Sequence, residues 1–305
     1  MKTAVRPHTA LLIVLILVIG IALGLLIARP LFQKAEPVDP HAGQVYIYDG
    51  FDWIWMTPLE GVPANPLHEE DFRFVNGRPE YLGESYQTLF GVDVSEHQHE
   101  IDWQQVSASG VDFAYIRLGR RGYTEGGLFG DPFFEANLRD AQNSGLRVGV
   151  YFYSQAISVE EAEEEANFVL DRLNGRALDL PIVFDWEKVD NEDAAIARTR
   201  GLELTTRTDC AVAFCEAVKA QGYDAAIYFN RNLGYYGYDL TRLTDYQFWF
   251  ALPEAKWPSF YYAVDIWQYS FVESIPGIEG ETDMNMMFLP VTPTAEDTAN
   301  GETQA

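Results

Sequence analysis

The stretch Pro181-Ile-Val-Phe-Asp-Trp-Glu187 predicts a buried strand that ends in two acids. Three apolar residues follow Pro181 without interruption, as in strands that are covered on both faces. Side chains alternate across a strand, so Asp185 and Glu187 point the same way, with Cα atoms about 6.6 Å apart. Close carboxylates push their pKa values apart, which keeps one acid protonated and the other charged. An isolated D-x-E pattern is more often a solvated strand end. Whether these two acids form a functional pair therefore depends on features elsewhere in the chain.

From residue 89 onward, predicted strands alternate with predicted helices, which implies a parallel sheet. About eight strands in some 200 residues predict an α/β fold, a modified TIM-like (β/α) barrel with reduced helices in its last third. A doubly wound open sheet is the competing topology. The barrel is expected over residues 89–289, with strands at 90–94, 112–118, 147–153, 182–184, 225–229, 247–252, 263–268 and 284–289 and helices at 102–108, 131–144, 158–173 and 202–221.

Local signals place the helix starts and one loop of this barrel. Asp131 is the expected N-cap of one helix, and Ser158-Val-Glu-Glu161 reads as the capping box of the next. The acidic run from Glu160 to Glu165 is expected to be a solvated helix face. The glycine-rich stretch from Gly119 to Gly127 lacks the Walker pattern, so we expect a mobile loop at the edge of a groove.

The N-terminal segment carries an unbroken run of 19 apolar residues, from Ala10 to Ala28. That length spans a bilayer as a helix, and no A-x-A cleavage site follows it. We therefore expect an uncleaved transmembrane anchor over 10–28, a cytoplasmic N-terminus over 1–9 and the rest of the chain outside. A cleaved signal and a secreted protein are the alternative, because the charge bias across the run is weak.

Three further segments flank or interrupt the barrel pattern. Residues 29–43 are expected to be a linker, and residues 44–88 a small β-rich extension with a hairpin around Asn76-Gly77. Residues 290–305 are polar and are expected to form a disordered tail. Cys210 and Cys215 lie about 140° apart on a predicted helix, so we expect two buried free thiols rather than a disulfide or a zinc site.

The charge of the chain excludes one class of partner. Acidic residues outnumber basic ones by 46 to 21, for a formal charge of −25. Nucleic acid is therefore not an expected partner, because phosphate binding needs a basic surface.

Polar and aromatic side chains follow the predicted strands at the end where a barrel carries its chemistry. Acids beside aromatic faces are what a site for sugar rings requires, since the rings need stacking surfaces, polar anchors and an acid. Asp93 and Asp283 join Asp185 and Glu187 in this set. The expected substrate-binding residues are Arg117, Tyr153, Asn230, Trp249, Gln268 and Tyr269.

Three separated motifs resemble the family 25 glycoside hydrolases, the Chalaropsis-type lysozymes. They are Gly91-Val-Asp-Val-Ser-Glu-His-Gln with Ile101-Asp-Trp103, Phe184-Asp-Trp-Glu187, and Ile266-Trp-Gln-Tyr-Ser270 with Gly277-Ile278 and Asp283-Met-Asn285. The resemblance covers residues 89–289. One departure is His99, which stands where the family often has glycine.

The resemblance implies an N-acetylmuramidase that cleaves the β-1,4 bond between N-acetylmuramic acid and N-acetylglucosamine in peptidoglycan. It implies that Glu187 is the general acid, that Asp185 is its charged partner carboxylate, and that Asp93 and Asp283 are the outer acids of the cluster. It implies no metal and no organic cofactor. The expected partners are peptidoglycan glycan strands, with the membrane contacted through the N-terminal helix.

Two alternatives stay open beside this reading. A catalytically inactive glycan-binding or scaffold protein could have the same fold, although all four expected acids are present. A hydrolase of another N-acetylhexosamine polymer, such as chitin, would need the same kind of site.

Overall fold

The computed structural model describes residues 7–32, 39–189 and 192–291 of the 305-residue chain. Two compact units make up the chain, Met1–Val45 and Tyr46–Ala305. The expectations for residues 1–6, for residues 33–38 of the linker and for residues 292–305 of the tail lie outside the described residues.

Within the described part of the first unit lies the helix α1 (Pro7–Phe32), which covers the predicted transmembrane run. Among the described residues, no helix is long and apolar enough to cross a membrane. The predicted helix is therefore present, whereas its predicted membrane span is not supported by the structure.

Thirteen strands and four helices belong to the second unit or begin at its boundary, within the described residues. The strands are β1 (Val45–Tyr48), β2 (Trp53–Met56), β3 (Phe72–Val75), β4 (Arg78–Tyr81), β5 (Tyr86–Val94), β6 (Phe113–Arg121), β7 (Leu128–Gly130), β8 (Arg147–Ser154), β9 (Ile182–Trp186), β10 (Ala225–Asn230), β11 (Gln247–Ala251), β12 (Ile266–Glu273) and β13 (Thr282–Pro290). The helices are α2 (Trp103–Ala108), α3 (Phe134–Asn143), α4 (Val159–Leu173) and α5 (Leu204–Lys219).

Eight of these strands close into a barrel in the order β5-β6-β8-β9-β10-β11-β12-β13, and β13 pairs back onto β5. The closed barrel confirms the predicted architecture and excludes the open sheet. The strands from β5 to β12 run parallel, but β13 is antiparallel to both neighbours. Only a short connection separates β12 from β13, and a connection without a crossover helix pairs strands in antiparallel orientation.

Helices cover the first part of the barrel and shrink afterwards, as predicted. Beyond α5 the described residues hold only short helical turns, Leu233–Gly237 and Leu240–Arg242. The apolar layer between the barrel and its cover includes Phe184 and Phe214, whose ring centroids lie 5.3 Å apart. Cys210 and Cys215 of α5 are buried free thiols, as predicted.

The predicted N-cap at Asp131 is wrong, whereas the one at Ser158 is confirmed. Helix α3 begins at Phe134, with Phe133 at the N-cap position. The Asp131 carboxylate accepts hydrogen bonds from the Phe133 amide and from the Arg117 guanidinium instead. Ser158 Oγ accepts a hydrogen bond from the Glu161 amide at the start of α4.

Arg121 and Glu165 form a buried ion pair that the sequence reading missed. Gly119 to Arg121 belong to β6, which pairs with β7, so the predicted mobile loop shortens to a tight turn between these two strands. Arg121 Nε donates to Glu165 Oε1 at 2.7 Å, and both side chains are almost fully buried. Glu165 therefore does not belong to a solvated helix face. Burial raises its pKa to about 7, against the opposing effect of Arg121.

Replacing Arg121 with methionine is expected to cost about 3–5 kcal/mol of unfolding free energy, because Glu165 would stay buried without its charge partner. Chemical denaturation at pH 8 measures the loss. Arg139→Met is the matched control, since the Arg139–Asp140 ion pair is exposed and such pairs contribute about 0–1 kcal/mol. Equal losses in both variants would contradict the role of the buried pair.

Two hairpins form the extension that precedes the barrel, β1–β2 and β3–β4. The β3–β4 hairpin packs on the outside of β12, where the Phe72 and Trp267 rings lie 5.8 Å apart. The segment between the hairpins is bonded to the β11–β12 connection, where Asn65 Nδ2 donates to the carbonyl oxygens of Pro258 and Phe260. The extension is therefore part of the packed second unit.

Candidate active site

Side-chain alternation along the barrel strands brings all four predicted acids into one cavity of about 230 Å³. Asp93 lies near the end of β5, Asp185 near the end of β9 with Glu187 just beyond it, and Asp283 near the start of the antiparallel strand β13. These positions coincide at the C-terminal end of the parallel strands, where barrel enzymes have their active sites. The other lining residues are Ser95, His97, Gln98, Arg117, Tyr151, Tyr153, Tyr228, Trp249 and Gln268.

Asp93 and Asp283 form one carboxyl pair, because they lie directly opposite each other in the β5–β13 register. Burial raises the pKa of Asp93 to about 6, although amide hydrogen bonds from Asn285 and Gln268 oppose the rise. Burial and the neighbouring charges of Asp93 and Glu187 raise the pKa of Asp283 to about 9. Near neutral pH, Asp283 therefore holds a proton and Asp93 carries most of the charge of this pair.

Asp185 and Glu187 form the second carboxyl pair. Burial, followed by the charges of Glu187 and Asp93, raises the pKa of Asp185 well above its ordinary value. Arg117 and its positive charge oppose that rise. Asp185 is fully inside the barrel, whereas Glu187 is half-buried. The raised pKa favours the protonated form of Asp185 until a neighbouring charge changes.

A network of amide and aromatic side chains holds the first pair in place. Gln268 Nε2 donates to Asp93 Oδ2 at 2.9 Å and to Asp283 Oδ2 at 3.3 Å. Asn285 Nδ2 donates to Asp93 Oδ2 at 2.8 Å. Tyr228 donates to Gln268 Oε1, and Trp249 donates to Asn285 Oδ1, which fixes the orientation of both amides. Asp93 can therefore stay charged although it is buried.

The backbone of Glu187 has its own support. Gln155 Nε2 donates to the Glu187 carbonyl oxygen at 2.8 Å, and Thr199 Oγ1 donates to Gln155 Oε1 at 3.0 Å. Both supporting side chains are buried. A fixed backbone restricts where the half-buried carboxyl of Glu187 can point.

Four of the six predicted substrate-binding residues line the cavity: Arg117, Tyr153, Trp249 and Gln268. Two of them have limited freedom to bind a ligand. Arg117 is engaged with Glu96 at 2.8 Å and Asp131 at 3.0 Å, and Trp249 is buried against Tyr115 with its indole N–H bound to Asn285. Their observed contacts are those of residues that shape the cavity and its charge.

Asn230 and Tyr269, which were also predicted to bind substrate, are not among the residues that line the cavity. Asn230 Oδ1 accepts a hydrogen bond from the Leu233 amide, where it begins the turn after β10. Tyr269 is 3% exposed and belongs to the core outside the barrel, with its ring 5.7 Å from that of Trp267. Tyr269 faces outward because side chains alternate along a strand and the preceding residue, Gln268, faces the interior.

Tyr151, Tyr228 and Asn285 also belong to the site, although they were not among the residues predicted to bind substrate. The signal that could have found them is also alternation. Tyr151 precedes Tyr153 by two residues, and Asn285 follows Asp283 by two. Tyr228 lies beside Asp185 in the β9–β10 register. Residues two apart share a face of the strand, so an inward-facing acid or tyrosine predicts that the residue two positions away also faces inward.

His99, the departure from the family pattern, follows the cavity residues His97 and Gln98. Its φ is 52°, a backbone conformation that favours glycine. Its ring lies 6.2 Å from that of Phe133. The positive φ is the physical reason why glycine suits this position.

The described residues contain no group of three or more His, Cys, Asp or Glu side chains arranged to hold a metal ion. The cavity is instead a cluster of four carboxyls with tyrosines on two sides of Asp185, since Tyr153 and Tyr228 are its neighbours in the adjoining strands. Chemically, such a cluster can donate a proton and stabilise positive charge within one small space.

Comparisons with known proteins agree with this geometry. A family model described as glycosyl hydrolases family 25 matches residues 92–278. The chain is 28% identical over 227 residues to the protein YegX of Escherichia coli O157:H7, covering 72% of this chain and 76% of that one. It is 26% identical over 204 residues to lysozyme M1 of Streptomyces globisporus, covering 64% and 66%. The solved structure of the bacterial lysozyme from Streptomyces coelicolor matches with a TM-score of 0.54 at 25% identity, covering 71% of this chain and 98% of that one.

Proposed function

Because the chain belongs to glycosyl hydrolases family 25 and is therefore a glycoside hydrolase, we propose that it is an N-acetylmuramidase. Its bond would be the β-1,4 linkage between N-acetylmuramic acid and N-acetylglucosamine in peptidoglycan. The observation that carries this proposal is the meeting of four carboxyls from three barrel strands in one tyrosine-lined cavity. Relatives named as lysozymes support the choice of peptidoglycan.

Glu187 is the proposed proton donor to the leaving glycosidic oxygen. It is the half-buried member of its pair, so a substrate oxygen can reach it from the open side of the cavity. A hydrogen bond with Glu187 also contributes to the raised pKa of Asp185. The pair therefore shares a proton, which is available to Glu187 when it acts as a general acid.

Asp185 is the proposed partner carboxylate that stabilises the positive charge of the transition state. When the shared proton leaves through Glu187, Asp185 becomes a buried carboxylate beside the reacting sugar. A carboxylate stabilises a nearby positive charge more strongly in a desolvated site than in water, because the surrounding dielectric constant is low. An acetamido group that acts as the nucleophile would place its N–H within reach of this carboxylate, a recognised exception to the two-carboxylate scheme.

Asp93 and Asp283 are proposed to bind and orient the sugar beside the reacting bond. Asp93 is charged and held by two amides, whereas Asp283 keeps a proton and can donate it in a hydrogen bond. One acceptor and one donor next to each other match the alternating hydroxyl and acetamido groups of a sugar ring. Tyr153 and Tyr228 supply the flanking aromatic surfaces.

The place of action is proposed to be outside the cytoplasmic membrane, on the cell wall. The apolar run of residues 10–28 is the sequence feature that supports a membrane tether there. Carbonate extraction of membranes tests the tether, since a protein that stays in the pellet is held by the bilayer. Full release of the protein from the membranes by carbonate would contradict the proposed tether.

Digestion of purified peptidoglycan by the full-length chain tests the proposed activity. We expect the turbidity of a peptidoglycan suspension to fall, and a parallel suspension of chitin to stay intact. Binding of peptidoglycan without release of soluble fragments would contradict the proposal and favour a glycan-binding protein. Digestion of chitin alone would assign the enzyme to the other N-acetylhexosamine polymer.

A further inference from the structure

The β1–β2 hairpin presents an aromatic surface that lies outside the residues matched by the family model. Strand alternation places Tyr46, Tyr48, Trp53 and Trp55 on one face, and we call these four residues the aromatic platform. They are 54%, 38%, 60% and 45% exposed. Large contiguous patches of exposed apolar surface are uncommon on soluble proteins and often mark interaction sites. Four exposed aromatic side chains in one group therefore indicate a binding surface.

The rings of the aromatic platform form one continuous surface. The Tyr46 and Trp53 ring centroids lie 5.4 Å apart in a stacked arrangement, and the Tyr46 and Trp55 centroids lie 5.0 Å apart. Tyr48 extends the row, 5.8 Å from Trp53. Neighbouring rings restrict one another, so little side-chain entropy remains to be lost when a ligand binds.

Polar groups border the platform. A cavity of about 510 Å³ adjoins it and is lined by Tyr46, Tyr48 and Trp53 together with Asn65, His68, Glu69 and Arg231 among others. The Arg231 guanidinium lies over the Tyr48 ring, 5.4 Å from its centroid, and donates to Ser259. Aromatic faces beside a few polar side chains are typical of ligand-binding sites.

The barrel anchors this surface at its catalytic end. Arg231 directly follows β10, whose C-terminal end lies at the cavity with the four acids, and Tyr236 lies in the next helical turn, Leu233–Gly237. Tyr236 donates a hydrogen bond to Asp49 in the turn between β1 and β2. The hairpin is therefore fixed to a segment that leaves the same end of the barrel as the proposed active site.

From this arrangement we infer that the aromatic platform is an additional glycan-binding site, for a β-1,4-linked chain of N-acetylhexosamines. The sugar rings stack on the indole and phenol faces, and Arg231 with its polar neighbours binds their hydroxyl or acetamido groups. The polar side chains of the adjoining cavity favour a hydroxylated ligand over a lipid surface, whose acyl chains offer no hydrogen-bonding groups. The inference rests on the proposed function, since it extends the binding of the same class of polymer.

Equilibrium binding in a non-cleaving background tests the platform. The parent is the full-length chain with Glu187→Gln, and the variant adds Trp53→Ala and Trp55→Ala. We expect about a tenfold or greater loss of affinity, as for truncated aromatic anchors at interfaces. The probes are chitohexaose and peptidoglycan glycan strands that have been freed of peptides. A loss for only one probe supports the platform and identifies its polymer.

Two controls keep the result interpretable. Phe74→Ala removes an exposed aromatic from the β3–β4 hairpin and is expected to leave both affinities unchanged. Tyr46→Ala is a milder platform variant, for use if the double variant fails to reach the parent's thermal melting temperature. This test measures binding without catalysis, so its result does not depend on hydrolytic activity. An inactive wild-type chain would overturn the proposed function, whereas the binding measurement would still test the platform.

Unchanged affinity for both glycans would overturn the inference. If the double variant then partitions less into phosphatidylcholine vesicles than its parent, the platform faces a lipid surface instead. If vesicle partitioning is also unchanged, the platform is not a binding surface for either partner.

Discussion

Replacing Glu187 with glutamine is expected to lower kcat/KM for peptidoglycan hydrolysis by about 10³-fold or more. The amide keeps the size of the side chain but cannot donate a proton to the glycosidic oxygen, and general acid catalysis contributes about 10²–10⁴-fold. The shared proton of the Asp185 pair would be lost as well, which places the effect at the upper part of that range. Initial rates of reducing-end release measure it.

A matched control separates this effect from a change in fold. Glu163→Gln makes the same substitution at an exposed position of α4 and should keep the wild-type rate. The Glu187 variant should also bind glycan strands about as well as the wild type, because binding does not require the proton. A Glu187→Gln enzyme with more than a tenth of the wild-type rate would remove Glu187 from the role of proton donor.

The stability of the fold is expected to depend on pH through the carboxyl cluster. The pKa of Asp283 is about 9 in the folded chain, above its ordinary value of 3.8. The folded protein thus holds a proton that the unfolded chain releases, so this contribution is full below pH 3.8 and is lost as pH rises towards 9. Asp93, with a pKa of about 6, acts in the same direction.

Asp283→Asn should therefore stabilise the protein at pH 8 by about 3 kcal/mol and have little effect at pH 3.5. This is roughly half of what the full pKa difference converts to at 1.36 kcal/mol per unit, because water reaches the half-buried carboxyl. Chemical denaturation at the two pH values measures the change. Asp171→Asn, at an exposed position of α4, is the control and should change neither value. A destabilised Asp283 variant at pH 8 would show that its charge supports the fold.

Local sequence patterns predicted the strands and placed four acids at their ends, and the resemblance to family 25 favoured the barrel. Apolar runs between capping and glycine signals located the strands, and two acids placed two residues apart at the end of β9 indicated one shared space. The same rule of alternation explains why Tyr269, which follows an inward residue, faces outward. Asn230 pairs with Ala251 at the end of β10, and its side-chain oxygen is bound to the Leu233 amide.

Long-range contacts explain what the sequence could not predict. The pairing of Arg121 with Glu165 joins residues 44 positions apart, and each looked locally like a loop cation or a helix-surface acid. The proton distribution in the cluster also depends on burial, which no motif states: burial deep in the barrel raises the pKa of Asp185 and so favours its protonated form. The antiparallel direction of β13 follows from a connection too short for a helix, and it places Asp283 opposite Asp93.

The identity of the new reducing ends tests the central claim most directly. Purified peptidoglycan is digested with the full-length chain, the products are reduced with borohydride, and the amino sugar alcohols are identified after acid hydrolysis. The account predicts muramitol that increases with time and is absent with Glu187→Gln. Glucosaminitol without muramitol, or no new reducing ends at all, would contradict it.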